Sequence, residues 1–514
     1  MVEFNSLVKN IVLIWVWVFL ASLVVGTIYA WQYLGYTSLN ETLLNPATTR
    51  SLHITLMLYG PIMLALSLLP FALFHKEGLS LSDAVIPLRN YFFLWHLFLF
   101  MAVVSILFGV QRNLAFYDFA YELNFILASS GIFYIIAIFK TIKQYEVPPL
   151  WVKVSKTLLF VAPIALLILM NPNFGQVERT PTGPHGDNTL GMSFTLIPLF
   201  YLMIKLHAKE NFIARGHFFW ILPLVMYAIS VVMRILWGDL SIPQEWFFQW
   251  MTFAYAPLLI MWYRDAKLSL KTSPYLIISI WAFLFVMIQG NILFIPEIKE
   301  FFHKNNLVIA HAHVAIGIGI FYMGLSVLEY FYKLPKMFSH FWLYVIAIIF
   351  VPLTIAGFVE AGLLDMDTTP LLWMRLIGGI LAVLGFCYFI IKEIKIPELK
   401  LLNLYHLNGF ASDGLGAIVL ILFAPTLFNF LGFEFHPIYY LVFGFMGFVG
   451  ILHLIGVCKE SHFLAYTTSI ARIITGTIFF SLFYLGTIDG LGLVVGAYDL
   501  SYALIYLLYL RDRT

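Results

Sequence analysis

The chain has 514 residues, of which 61% are hydrophobic and only 11% charged, with a mean hydropathy of +0.91. Soluble domains carry about 25% charged residues, so this composition excludes a soluble globular or disordered protein and gives an integral membrane protein in a lipid bilayer. The formal net charge of +2 is no nucleic-acid signature; the cations fall where membrane topology puts them.

A spanning helix needs ~20 mostly apolar residues. In chain order, such runs predict about sixteen spans, at 11–31, 53–74, 90–110, 120–140, 151–170, 187–206, 217–237, 246–263, 274–294, 307–331, 340–362, 371–391, 408–430, 437–457, 466–486 and 490–510. The first run, Ile11 to Trp31, is long and lacks a small-residue cleavage site, so it reads as a retained helix. Lys and Arg collect in alternate loops: Lys140, Lys143, Lys153 and Lys156; then Lys205, Lys209 and Arg215; then Arg264, Lys267 and Lys271; then Lys333 and Lys336; then Lys392, Lys395 and Lys400. The positive-inside rule makes those loops cytoplasmic, with both termini on the same side of a cell (inner or plasma) membrane. Cys387 and Cys458 lie far apart and form no CxxC, CxxCH or disulfide pattern. No soluble domain, low-complexity tract or short repeat is visible.

Polar residues inside these runs carry the functional signal. His53 opens the second run within Arg50-Ser51-Leu52-His53-Ile54-Thr55-Leu56-Met57-Leu58-Tyr59-Gly60. His185 precedes the sixth, in Gly183-Pro184-His185-Gly186-Asp187-Asn188. His311 and His313 sit two residues apart in Leu307-Val308-Ile309-Ala310-His311-Ala312-His313-Val314-Ala315. An imidazole in hydrocarbon is costly and needs a polar partner or a metal. Residues i and i+2 of a helix point about 200° apart, so these two rings suit two cofactors on opposite sides of one helix. The topology brings all four histidines to similar depth near the outer face. The bland alternative is a set of buried histidines bonded to neighbouring backbone. His207, His217, His303, His340, His436 and His462 lie near segment ends, where water satisfies them, and His96 and His453 read as structural.

These residues resemble the catalytic subunit of the heme-copper oxidase superfamily, closer to the nitric oxide reductase large subunit than to cytochrome oxidase. The resemblance covers residues 11–391, or twelve segments. It implies an all-α integral membrane protein with a twelve-helix core at 1–400 and an accessory C-terminal four-helix region at 401–514. It implies two hemes of b type. His53 and His313 would ligate the low-spin heme, and His311 the high-spin heme. Arg50 and Arg375 would lie near heme propionates, and His185 would be the first ligand of a distal metal.

The chain departs from the family pattern at that metal. An adjacent His-His pair belongs at the outer end of the seventh segment, where this chain reads Val231-Val232-Met233-Arg234-Ile235-Leu236-Trp237-Gly238. Thr189 and Ser193 stand in place of the family's sixth-helix glutamates. One histidine makes no tight copper or non-heme iron site, since such metals take three or more protein ligands, although Asp187 could serve as one.

A low-spin heme held on both faces only passes electrons, whereas a high-spin heme with an open face binds a diatomic gas, NO or O2. The resemblance therefore implies a respiratory oxidoreductase fed by a quinol or by a small cytochrome c-type subunit. The runner-up is a heme electron-transfer or gas-sensing relative without the distal metal, and a cofactor-free transporter is a third class. Possible proton-loading carboxylates are Asp118, Glu122, Glu178, Asp187, Glu360, Asp365 and Asp367, although each lies near a segment end and reads first as a solvated loop residue. In the last four segments Asp413, Glu434, His453, Arg472 and Asp489 are the chemistry-capable residues, with Arg472 and Asp489 a possible pair.

Overall fold

A computed structural model describes residues 2–36, 43–112, 117–153, 156, 186–208, 212–271, 273–302, 305–332, 336–393, 401–430, 434–486 and 490–510. Every regular element among the described residues is helical, and eleven of these helices are long and apolar enough to cross a membrane. The protein is an all-α, multi-pass membrane protein. Its chain forms two compact units, Met1–Glu393 and Ile394–Thr514. The predicted run at 151–170 lies almost wholly outside the described residues, whereas the run at 246–263 is a broken segment: Ile242–Trp250, a 3-10 turn at Met251–Ala254, then Tyr255–Asp265.

In the first unit, helix Val2–Tyr33 packs on Pro46–Met57 and on Thr369–Glu393, and helix Asn306–Val314 packs on Lys336–Glu360. Pro46–Met57 starts cleanly, because the Asn45 side chain accepts from the Thr48 N–H at 3.0 Å and Pro46 occupies the first turn. Trp15, Phe19, Phe321, Trp342 and Phe386 form the aromatic centre, with Phe19 ring centroids 4.7 Å from Phe321 and 4.6 Å from Phe386.

Among the described residues of the first unit, two helices widen into π turns, at Leu58–Ile62 around Pro61 and at Ala315–Ile320 around Gly317 and Gly319. A widened turn leaves carbonyls short of partners, and in hydrocarbon each must be satisfied within the protein. Indoles from neighbouring helices do this. Trp15 Nε1 donates to the Pro61 carbonyl at 2.7 Å, Trp95 to Tyr59 at 2.8 Å and Trp342 to Gly317 at 2.8 Å. Ser279 Oγ donates to the Gly319 carbonyl at 2.6 Å.

The second unit contains Leu401–Gly409, a π turn at Phe410–Leu415 and Gly416–Phe430 as one continuous helical stretch, then Tyr439–Lys459, His462–Tyr484 and Gly490–Ile505. This stretch and Tyr439–Lys459 meet at glycine: a Cβ on Gly450 would overlap the backbone of Gly414. Small residues let membrane helices approach this closely.

Candidate functional site

Helix Asn306–Val314 begins where the other end of its packing partner stops. Glu360 Oε2 accepts from the Asn306 N–H at 2.8 Å and its Oε1 accepts from Asn306 Nδ2 at 2.5 Å. A carboxylate at a helix N-terminus meets the positive end of the helix dipole. Asn305 caps the Leu307 N–H at 2.9 Å and donates to the Gly357 carbonyl at 3.1 Å. Only glycine fits at 357, since a Cβ there would lie 2.6 Å from the Leu307 nitrogen. Glu360, a proton-loading candidate in the sequence, is therefore in the fold the clamp that fixes the depth and rotation of the histidine-bearing helix.

On that helix His313 turns its Nδ1 to the Ile309 carbonyl at 2.8 Å, one turn back. His53 turns its Nδ1 to the Ser22 carbonyl at 2.8 Å, and Ser22 Oγ donates to the His53 carbonyl at 3.1 Å. The His53 ring lies flat in a notch on helix Val2–Tyr33, where a Cβ on Gly26 would come within 2.5 Å of Nδ1. Both rings place Nδ1–H on a carbonyl, which fixes the tautomer and leaves the Nε2 lone pair available, the arrangement a metal-ligating histidine requires. His53, His313 and Arg375 lie within electrostatic reach of one another.

His311 faces the other side of the helix. Its Nδ1 lies 3.2 Å from Gln289 Oε1, and its ring rests on Gly290, where a Cβ would be 3.2 Å from Cε1. Gln249 is buried against the same glycine and donates to its carbonyl at 3.2 Å. On this side a buried pair, Lys299 Nζ and Glu245 Oε2 at 3.8 Å, anchors the loop helix Pro296–Phe302 to Ile242–Trp250. Lys299 Nζ also sits 4.2 Å from the Phe294 ring centre. Burial lowers its pKa from the usual lysine value and Glu245 opposes that shift.

Arg375 is 5% exposed, with its guanidinium over Tyr33 at 5.0 Å and Tyr29 at 5.3 Å. Its Nη1 has no hydrogen-bond partner, and no carboxylate pairs with it among the described residues. A buried cation is stable only when paired with an anion, so Arg375 suits an acidic group that reaches it from beside His53 and His313. Arg50 is half-buried one turn before His53. The donor set thus fits heme on three observations: imidazoles with Nδ1 anchored, glycines beneath two of the rings, and a buried guanidinium whose Nη1 is unbonded and which has no carboxylate beside it among the described residues.

The fold brings His53, His313 and Arg375 within electrostatic reach of one another and sets His311 on the far side of the helix it shares with His313. His185 lies outside the described residues. Among the described residues no group of three or more His, Cys, Asp or Glu could hold a metal ion. The sequence did not single out Ser22, Gly26, Gln249, Gln289 or Gly290; the spacing of Ser22 and Gly26 by one helical turn was the signal for a ring notch. His207, assigned above to water, is bonded instead to Ser326, at 2.7 Å to Oγ and 3.1 Å to the carbonyl.

No protein-family model matches this chain. No curated protein matches it either.

The notch gives a direct prediction. Gly26→Ala is expected to push the His53 imidazole off the Ser22 carbonyl, costing about 1–3 kcal/mol as an overpacked core contact. Gly131→Ala is the control, because a Cβ there meets nothing within 4 Å. Thermal unfolding of the two variants in detergent checks this; equal melting temperatures would dismiss the notch.

Proposed function

We propose that this protein is a membrane heme oxidoreductase subunit of the heme-copper oxidase type, in which electrons from a quinol or a cytochrome c-type partner pass through one heme to a second that binds NO or O2. The observation that carries the reading is the pair His311 and His313, pointing to opposite sides of one clamped helix, with His53 presenting a third anchored imidazole on the His313 side. In this reading the first unit is a twelve-helix core and the second adds about four helices, with both termini cytoplasmic in a cell membrane.

His53 and His313 would hold the low-spin heme, with Arg375 and Arg50 receiving its propionates, and His311 would hold the high-spin heme. Bound heme supplies one-electron transfer and, with one face open, gas binding. The protein's own contribution is orientation. Ser22 and Ile309 hold the imidazoles in the ligating tautomer, and Gln289 orients His311. The indole-capped π turns keep the helices from sliding. The described residues do not fit a distal copper or non-heme iron, so no step is assigned to one. A second reading, heme electron transfer or gas sensing without turnover, draws on Val232-Met233 standing where the family has its histidine pair.

Reduced-minus-oxidised and CO-difference optical spectra of the purified protein, with iron and copper counted on the same sample, test both. Two hemes with one binding CO support the heme reading, and colourless protein ends it. Gas consumption at ordinary enzyme rates, about 1–1000 per second, selects the oxidoreductase over the sensor.

A further inference from the structure

We propose that the second unit carries an intramembrane proton-binding site where His453 Nε2 meets Asp413 Oδ2, independent of the heme reading. Ionisable groups within a membrane are costly and mark ion or proton sites by default, and five come together here from four helices: Arg472, Asp413, Asp499, His453 and His406. Arg472 lies between two carboxylates, with Nη1 2.5 Å from Asp499 Oδ1 and Nη2 2.5 Å from Asp413 Oδ2. Asp413 sits in the π turn Phe410–Leu415, a distortion often found at functional sites. His453 Nε2 lies 3.7 Å from Asp413 Oδ2. On its other side His453 Nδ1 is 3.1 Å from His406 Nδ1, and His406 Nε2 is 3.0 Å from the Ser461 carbonyl, at the turn into helix His462–Tyr484.

The site is built rather than incidental. His453 and His406 are both 0% exposed. Each ring fills a notch opposite a glycine of the other's helix: a Cβ on Gly409 would lie 2.5 Å from His453, and one on Gly456 would overlap His406. The hydrogen bonds then fix the protons. A carbonyl only accepts, so His406 Nε2 carries hydrogen and, in a neutral ring, its Nδ1 accepts. His453 Nδ1 must therefore donate, which leaves a lone pair on Nε2 aimed at a carboxylate oxygen. That nitrogen has no hydrogen-bond partner. A proton placed there converts two facing acceptors into a donor and an acceptor.

Charge balance points to the same atom. Arg472 with Asp413 and Asp499 sums to one negative charge, and one added proton makes the cluster neutral in a medium where net charge is expensive. The other polar side chains around the cluster are hydroxyls, one further imidazole and the Asn408 amide, which donates to Tyr498 at 3.3 Å. Ser412 donates to Arg472's partner Asp413 at 3.5 Å, and Thr475 donates to Asp499 Oδ2 at 2.7 Å. Tyr405, Tyr498 and Tyr502 are neutral phenols that flank the histidines and the guanidinium. His462, beyond His406, is turned to Tyr506 at 3.3 Å.

Infrared difference spectra between two pH values, recorded in H2O and D2O on the full chain in lipid nanodiscs, test this. Wild-type protein is expected to gain one proton with an imidazolium ring signature. Asp413→Asn and Asp499→Asn each make the cluster neutral without that proton, so both are expected to lose the signal. The wild-type-minus-variant difference separates it from the other histidines. Asp499→Asn is the stricter variant, since Asp499 acts on His453 through charge balance alone. It also stands if Asp413→Asn fails to fold. An unchanged signal in Asp499→Asn, or no protonation in wild type, overturns the proposal and leaves an ion pair that only holds helices together.

Discussion

His313→Ala is expected to remove one heme of two and leave the CO-binding one in place, whereas His311→Ala should do the reverse. The two side chains are two residues apart, about 200° around one helix, and their partners differ: His313 looks toward His53 and Arg375, His311 toward Gln289 and Gly290. Loss of the low-spin reduced band with the CO response retained is the first phenotype, and retention of that band with no CO response is the second. Neither variant should unfold the protein, because the helix is held from its first turn by Glu360 and Asn305. Identical spectra from the two variants would mean that both rings serve a single site, and the assignment would fall.

Arg472→Met should be the most destabilising single change in the second unit. It leaves Asp413 and Asp499 buried beside each other without their cation, and breaking a buried ion network by removing one partner costs about 3–5 kcal/mol. Adding Asp413→Asn and Asp499→Asn to the same chain should recover most of that loss, because the triple variant has no uncompensated charge. Denaturant unfolding in detergent measures both. If single and triple variants are equally stable, the two carboxylates already share protons in the native protein and the network is not ionic.

The apolar runs and the paired histidines were legible in the sequence because both signals are local. Helix periodicity puts His311 and His313 on opposite sides whatever surrounds them. What escaped depended on which helices are neighbours. Gly26 is one of 34 glycines until His53 is laid on it, and Gln289 is an ordinary segment-end residue until His311 arrives. The break at Met251–Ala254 is hidden by an apolar run on both sides. Arg472 pairs with Asp413 and Asp499; Asp489, its possible partner by sequence, lies outside the described residues. Asp499 sits in an apolar run and His406 just ahead of one, with no motif around either, so only helix pairing exposes them.

Helix Val2–Tyr33 is keyed to the span Pro46–Lys76 at two points, Trp15 on the Pro61 carbonyl and Ser22 on His53. On one helix the keys are seven residues apart and on the antiparallel other they are eight, about two turns in each case. A one-residue insertion between Trp15 and Ser22 would rotate one key by about 100° relative to the other, so no sliding of the pair could seat both. This stretch should therefore tolerate exchange of its lipid-facing side chains yet reject any change of length, which makes it a ruler that meters the imidazole's position from a tryptophan two turns away.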